Sequence, residues 1–340
     1  MRRREFIART AATAAVGLPW SAGAQTSSSP GSKRIAIVDP ASRAEDLTIN
    51  SAIPIKAYFT ELSRLGYVDG RNLTVERFLG LGQPERLAEI AEAAVASRPD
   101  LIVAIGGPIA RQLKPLTTII PIIAISGDPV VGKLVTNLAK PEGNITGVSV
   151  DTGPGIYSKR LEVLRETTRK LTNVRILTPT SAVPFWEMIK APIQEAAAQA
   201  GIAISLAVVT GKADQAGYES VFDAMEKDQV DGLTVGEASE NRANRKLIVE
   251  LAARHRLPAI YPYRVYVDIG GLLSYGIDLG DVYRRMADMT VDVLLSGAKP
   301  ADIPYYQQTK FELVLNRRTA KSLGLEFPPT LLTAADEVIE

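Results

Sequence analysis

The sequence predicts an α/β protein built as two lobes of similar size, and three observations carry that expectation. Continuous apolar runs such as Leu101–Ile105 (LIVAI) and Ile119–Ile125 (IIPIIAI) recur along the chain. Segments with apolar residues at helical spacing stand between them. The same alternation begins again after residues 144–150. Strands that are apolar on both faces and alternate with helices form parallel sheets covered on each side.

In the first half, Arg34-Ile35-Ala36-Ile37-Val38-Asp39 reads as a short strand ending on a carboxylate. Ile55, Phe59, Leu62 and Leu65 share one helix face, and Leu73–Phe78 is rich in β-formers. Pro84 opens a helix whose inner face is Leu87, Ile90, Ala91, Ala94 and Val95. The LIVAI strand breaks at Gly106-Gly107, and Pro108 starts another helix. The IIPIIAI strand breaks at Ser126-Gly127-Asp128-Pro129. In the second half, Tyr157–Lys170 is a charged amphipathic helix with Leu161 and Leu164 inside. Strands are expected at Val174–Thr178, Ile202–Val209, Gly232–Val235 and Pro258–Tyr261, with helices at 184–200, 214–227 and 239–255. The tail returns to extended structure at Phe311–Leu315.

Composition removes several function classes. The 340 residues carry 39 Lys+Arg against 38 Asp+Glu, so no basic excess serves nucleic acid. Cys is absent and His255 is the one histidine, which excludes thiolate sites, cysteine nucleophiles and a zinc centre built on several histidines. Residues 1–24 read as a cleaved export signal. Arg2, Arg3, Arg4 and Arg9 form a basic start, Thr10–Trp20 is short and apolar, and Ala22-Gly23-Ala24 is a cleavage site. That run is too short to span a bilayer, which takes about 20 apolar residues. Arg3-Arg4-Glu5-Phe6-Ile7 resembles a twin-arginine signal. Residues 25–32 form a flexible tether. Removing the signal takes the net charge from +1 to −2, so a nearly neutral periplasmic protein is expected.

Catalytic and nucleotide motifs are incomplete. Gly127–Leu134 matches G-x-x-x-x-G-K, but Leu134 stands where Ser or Thr would hold Mg²⁺, and Pro129 removes a backbone donor. No G-x-S-x-G elbow occurs. His255, between Arg254 and Arg256 at a helix end, reads as a solvated C-terminal charge, which leaves a serine triad without its base. No catalytic residue, cofactor or metal centre is therefore assigned.

Several stretches carry a family resemblance: Leu65–Leu73 (LGYVDGRNL), Gln83–Leu87 (QPERL), Ser126–Val130 (SGDPV), Lys140–Gly147 (KPEGNITG), Leu273–Gly276 (LSYG), Pro304–Leu313 (PYYQQTKFEL) and Ala320–Leu325 (AKSLGL). In this order they resemble the substrate-binding proteins of ABC transporters with the type I periplasmic binding-protein fold. The resemblance implies two Rossmann-like lobes with parallel sheets, a hinge of crossing strands, and one ligand held between the lobes. It implies an N-terminal lobe at 33–150, a C-terminal lobe at 151–275, and a crossover and tail at 276–340. A small-molecule ligand and a membrane permease are the implied partners of a monomer that inserts into no membrane once its signal is removed.

Ligands of such sheets bind beyond the carboxyl ends of strands, which selects the candidate residues. Asp39 ends the first strand. Gly107, Pro108 and Ile109 open a helix whose free N–H groups, those of Gly107, Ile109 and Ala110, suit a carboxylate, unless the turn serves only to redirect the chain. Ser126 suits an anionic oxygen; Asp128 suits an amine, or caps the segment before Pro129. In the second lobe Ser181 follows a strand, and Phe185 stacks on a ligand ring or packs in the core. Glu237 holds a cation or caps its helix. Tyr261 and Tyr275 end later strands and offer a wall with one hydroxyl each, or sit in the core. An amino acid or an aromatic carboxylate is the favoured ligand, trapped by hinge closure. The alternatives are a ligand-sensing partner of a membrane receptor and, with less support, a secreted hydrolase.

Overall fold

A computed structural model describes residues 32–51, 54–168 and 170–340. Residues 1–31, where the export signal and most of the tether are expected, lie outside the described residues.

The first lobe runs through β1 (Lys33–Asp39), α1 (Lys56–Arg64), β2 (Leu73–Leu79), α2 (Leu87–Ala96), β3 (Leu101–Ile105), α3 (Gly107–Leu113), β4 (Ile122–Ser126) and β5 (Ile145–Ser149). Its strands pair in the order β2-β1-β3-β4-β5, all parallel. Every residue of β3, β4 and β5 is buried, as continuous apolar strands between helical layers require. β4 is shorter than the IIPIIAI run. Pro121 cannot donate to a ladder, the strand starts at Ile122, and Ile119 is 86% exposed.

The second lobe comprises α4 (Gly155–Thr167), β6 (Asn173–Pro179), α5 (Val183–Gln199), β7 (Ala203–Val209), α6 (Gln215–Lys227), β8 (Gly232–Val235), α7 (Ser239–Ala243), α8 (Arg245–Arg254), β9 (Ala259–Tyr261), α9 (Arg264–Val267) and β10 (Leu273–Ile277). The single helix expected at 239–255 is two. Asn244 leaves helical geometry (φ −96°, ψ 19°), and its side-chain amide donates to the carbonyls of Ala213 and Glu240.

The chain then returns to the first lobe with α10 (Leu279–Ser296), a helix absent from the sequence reading. Its face of Val282, Met286, Met289 and Val293 joins the core formed with Tyr58, Phe59 and Leu62 of α1. The Tyr58 hydroxyl meets Thr290 Oγ1 at 3.1 Å inside that core. Asp278 caps the helix by accepting from the Asp281 N–H, and Gly297 closes it in the left-handed region, where glycine carries no Cβ penalty. β11 (Tyr306–Gln307) adds to the edge of β5. β12 (Phe311–Asn316), α11 (Arg317–Ser322), α12 (Pro329–Ala334) and β13 (Glu337–Ile339) finish the second lobe. Its sheet runs β7-β6-β8-β9-β10-β12-β13, with β12 antiparallel to β10.

The backbone thus crosses between sheets three times: from β5 to α4, from β10 to α10, and from β11 to β12. The last two crossings are tied together. The Asp278 N–H donates to the Lys310 carbonyl at 3.1 Å, and Lys310 Nζ lies 2.8 Å from Asp278 Oδ2. Gly276 enters this region, where a Cβ would fall 1.9 Å from the Pro262 carbonyl oxygen. Three short crossings held by local contacts form a hinge. Among the described residues no helix is long and apolar enough to cross a membrane.

Candidate functional site between the lobes

The carboxyl ends of both sheets point toward the same boundary, and the contacts there are ionic. Asp39, at the end of β1, is fully buried. It accepts from the Ala41 N–H (2.8 Å), the Ser42 N–H (3.2 Å) and the Ser42 hydroxyl (2.7 Å). The opposite lobe supplies Arg242 from α7, whose Nη2 lies 2.6 Å from Asp39 Oδ1 and whose Nη1 lies 3.3 Å from Oδ2. Arg245, at the start of α8, reaches Asp46 of the first lobe at 3.3 Å. Arg242 and Arg245, three residues apart on either side of the break at Asn244, thus meet carboxylates of one partner surface. Burial alone would raise the Asp39 carboxyl. The Arg242 guanidinium and the hydrogen bonds from Arg242, Ala41 and Ser42 outweigh it and hold the group below the usual carboxylate range.

A second pair lies on the second-lobe side. Glu237 follows β8 and accepts from the Tyr157 hydroxyl and from Arg160 Nη1, each at 2.6 Å. Arg160 is 2% exposed. Its Nε donates to the Tyr275 carbonyl at 2.9 Å, and its guanidinium carbon stands 5.3 Å from the centre of the Tyr157 ring. Tyr263, just past β9, lies within the fields of Glu237, Arg160 and Arg242 and so links the two pairs. Burial first, and then Glu237, drive its hydroxyl well above its ordinary value, so it stays a neutral donor. Tyr283 of α10 sits beside Arg242 and Asp39, with its hydroxyl driven up by burial. The group is two carboxylates and two guanidiniums, with the Tyr157 hydroxyl bonded to Glu237 and the Tyr263 and Tyr283 hydroxyls within the field of the charges.

Asp39 and Glu237 are the candidates that the structure brings into this group. Ser126 is buried at the end of β4, 3.5 Å from the Tyr305 hydroxyl, and a Cβ on Gly107 would lie 3.8 Å from its own Cβ. α3 is only seven residues long, and the Ala110 N–H, expected to be free, donates to the Gly106 carbonyl. Pro108 lies in the first turn of that helix, and the Ile109 side chain is buried in the first-lobe core. Asp128 accepts from the Val130 and Val131 N–H groups (2.7 and 3.0 Å), which is the capping alternative. The Ser181 hydroxyl is bonded to the buried Glu240 carboxylate.

The aromatic candidates lie elsewhere. Phe185 is 54% exposed, while its neighbour Trp186 is buried and packs edge-on against Tyr157 at 6.2 Å. Tyr261 is buried in the core under α6 and α8, stacked on Tyr266 at 5.0 Å. Tyr275 lies inside β10 rather than at its end; its ring stacks on Phe311 at 5.8 Å, and only its carbonyl faces Arg160. Sequence reasoning missed Arg242, Arg160, Tyr157 and Tyr283, and in the strand-end run Tyr261-Pro262-Tyr263 it favours Tyr261 over Tyr263. Arg242 alone left a signal, as a cation shortly after the strand-end Glu237. A separate groove of about 450 Å³ runs along α4 and α5, lined by Leu161, Glu162, Arg165, Ala196, Ala200 and Ile202 among others, with no member of the ionic group.

The family model described as "ABC transporter substrate binding protein" matches residues 56–339. The chain belongs to that family. Members of the family are solute-binding proteins rather than enzymes, and the two-lobed α/β fold with parallel-dominated sheets is that of periplasmic binding proteins. A curated relative, the "Tyrosine-binding protein" of Clostridioides difficile (strain R20291), is 25% identical over 272 residues, 80% of this chain and 76% of the relative. A solved structure from Streptococcus pneumonia, described as an ABC domain in complex with L-Trp, is 26% identical with a TM-score of 0.77, covering 91% of this chain and 100% of that one. A ligand-free, open substrate-binding protein with adhesive properties from Clostridium difficile shares the fold at 23% identity and a TM-score of 0.60, over 90% of this chain and 99% of that one.

Proposed function

We propose that this substrate-binding protein is the periplasmic component of an ABC importer and that it captures an aromatic α-amino acid between its lobes. The observation that carries this reading is the Asp39–Arg242 contact, where a carboxylate of one lobe meets a guanidinium of the other, with the Glu237–Arg160 pair of the second lobe sharing the field of Tyr263 with it. A zwitterion can exchange into that array: its ammonium is offered Asp39 or Glu237, and its carboxylate is offered Arg242. Each of those bonds is charge-assisted and stronger than a neutral one. The tyrosines around the array suit an aromatic side chain. The named ligands of the two relatives, tyrosine and L-Trp, support the same class. Binding closes the hinge because only the closed state engages groups from both lobes. Delivery then falls to a membrane permease, and residues 1–24 supply export by the twin-arginine route.

A thermal-shift screen of purified residues 25–340 against amino acids, aromatic acids and sugars tests the ligand class. An aromatic amino acid at about 100 times its Kd stabilises the folded chain by about 2.7 kcal/mol and raises the melting temperature. A response to sugars with none to any amino acid would refute the assignment.

A further inference from the structure

Away from the cleft, α6 and the end of α8 bring the one histidine between two carboxylates. Asp223 and Glu226 are three residues apart and so share one helix face. His255 follows α8, and its ring packs on Phe222 with centres 5.7 Å apart. Nδ1 lies 2.9 Å from Glu226 Oε2, and Nε2 lies 3.8 Å from Asp223 Oδ1. One ligand atom from each residue lies within 4.8 Å of the others. The imidazole is mostly covered, at 11% exposure, whereas both carboxylates are open to water. Among the described residues neither carboxylate forms an ion pair with a Lys or Arg.

An imidazole ring nitrogen offers a metal ion its lone pair, and a cation held beside it neutralises two carboxylates that otherwise repel. We infer that Asp223, Glu226 and His255 bind a divalent transition-metal ion of the zinc type on the outer surface of the second lobe. One imidazole with two carboxylates is a ligand set that such ions accept, with metal–ligand distances of about 2.0–2.2 Å and water completing the shell. Donors on a common ion with such bonds lie about 3 Å apart, so Glu226 and Nδ1 can share one ion as they stand; Asp223 now lies nearer Nε2 and joins them only through a change of rotamer on its exposed side chain. The nitrogen donor disfavours Ca²⁺ and Mg²⁺, which take oxygen. Exclusion of a centre built on several histidines does not touch this mixed set.

The chain has no Cys and one His, so the measurement is unambiguous in a preparation freed of any affinity tag. Calorimetric titration of residues 25–340 with ZnCl₂ should show one site, and the His255 ring resonances should shift as it fills. His255→Gln should bind Zn²⁺ at least about tenfold more weakly, the loss typical of removing even a partner of a metal ligand. The double variant Asp223→Asn/Glu226→Gln, changed only at exposed positions, should lose binding as well. Wild type that binds no Zn²⁺, variants that bind as tightly as wild type, or His255 resonances that do not move with Zn²⁺ would overturn the site.

Discussion

Arg242→Gln should release the two lobes from each other. The substitution leaves Asp39 fully buried with only Ser42 and backbone donors around it. Removing one partner of a buried ion pair costs about 3–5 kcal/mol when the other charge stays buried. This protein has a less costly response, because opening the hinge returns Asp39 to water. The expected result is a larger radius of gyration by solution scattering, together with a lower melting temperature. Equal radii and equal melting temperatures for variant and wild type would remove the ion pair from the closure mechanism. Acid should act in the same direction. The Asp39 carboxyl is held below its ordinary value of 3.8 in the folded chain. Its contribution is therefore fully present above that value and is lost as pH falls through the lowered one. Wild type should thus open in acid, while Arg242→Gln is already open at neutral pH.

Glu237→Gln carries the second large effect. Arg160 cannot shed its proton and is almost fully buried. Without the carboxylate it keeps its charge beside one carbonyl and the face of Tyr157. The expected loss is about 3 kcal/mol, at the low end for broken buried pairs because water reaches Glu237. Chemical denaturation measures it. The double variant Arg160→Met/Glu237→Gln should recover part of the loss, since apolar atoms then replace the stranded charge. A single variant within about 0.5 kcal/mol of wild type, the range of an ordinary surface change, would show that the pair does not support the second lobe.

Much of the fold was legible because parallel strands buried on both faces must be apolar throughout, as LIVAI is. The helix break at Asn244 was not legible, since the spacing of Ile248, Leu251 and Ala252 continues a helical pattern, and the Asn244 side chain bonds one long-range carbonyl, that of Ala213, besides the local one of Glu240. α10 does leave a pattern in Val282, Met286, Met289 and Val293, but the resemblance implies only a crossover and tail over 276–340, with no helix in it. In the site, Asp39 and Glu237 were visible as carboxylates at strand ends. Arg242 belongs to the group only because the lobes face each other, a long-range fact that no local spacing encodes. The tyrosines went astray over where each strand ends, since alternation alone would send residues two apart to the same face. Tyr261 is the last residue of β9 and turns into the core, whereas Tyr263, two residues on and past the strand, reaches the ionic group. Tyr275 was assigned to a strand end that lies two residues further on.

Calorimetric titration of L-tyrosine and L-tryptophan into wild type and Asp39→Asn tests the interlobe site most directly. Loss of a hydrogen bond to a charged group costs about 1.5–3 kcal/mol, or roughly ten- to a hundredfold in Kd. Binding by wild type that weakens by that factor in Asp39→Asn, with the melting temperature of the unliganded variant above the titration temperature, is the predicted result. Equal affinity in the two proteins would place the ligand's ammonium away from Asp39 and contradict capture by the interlobe Asp39–Arg242 pair.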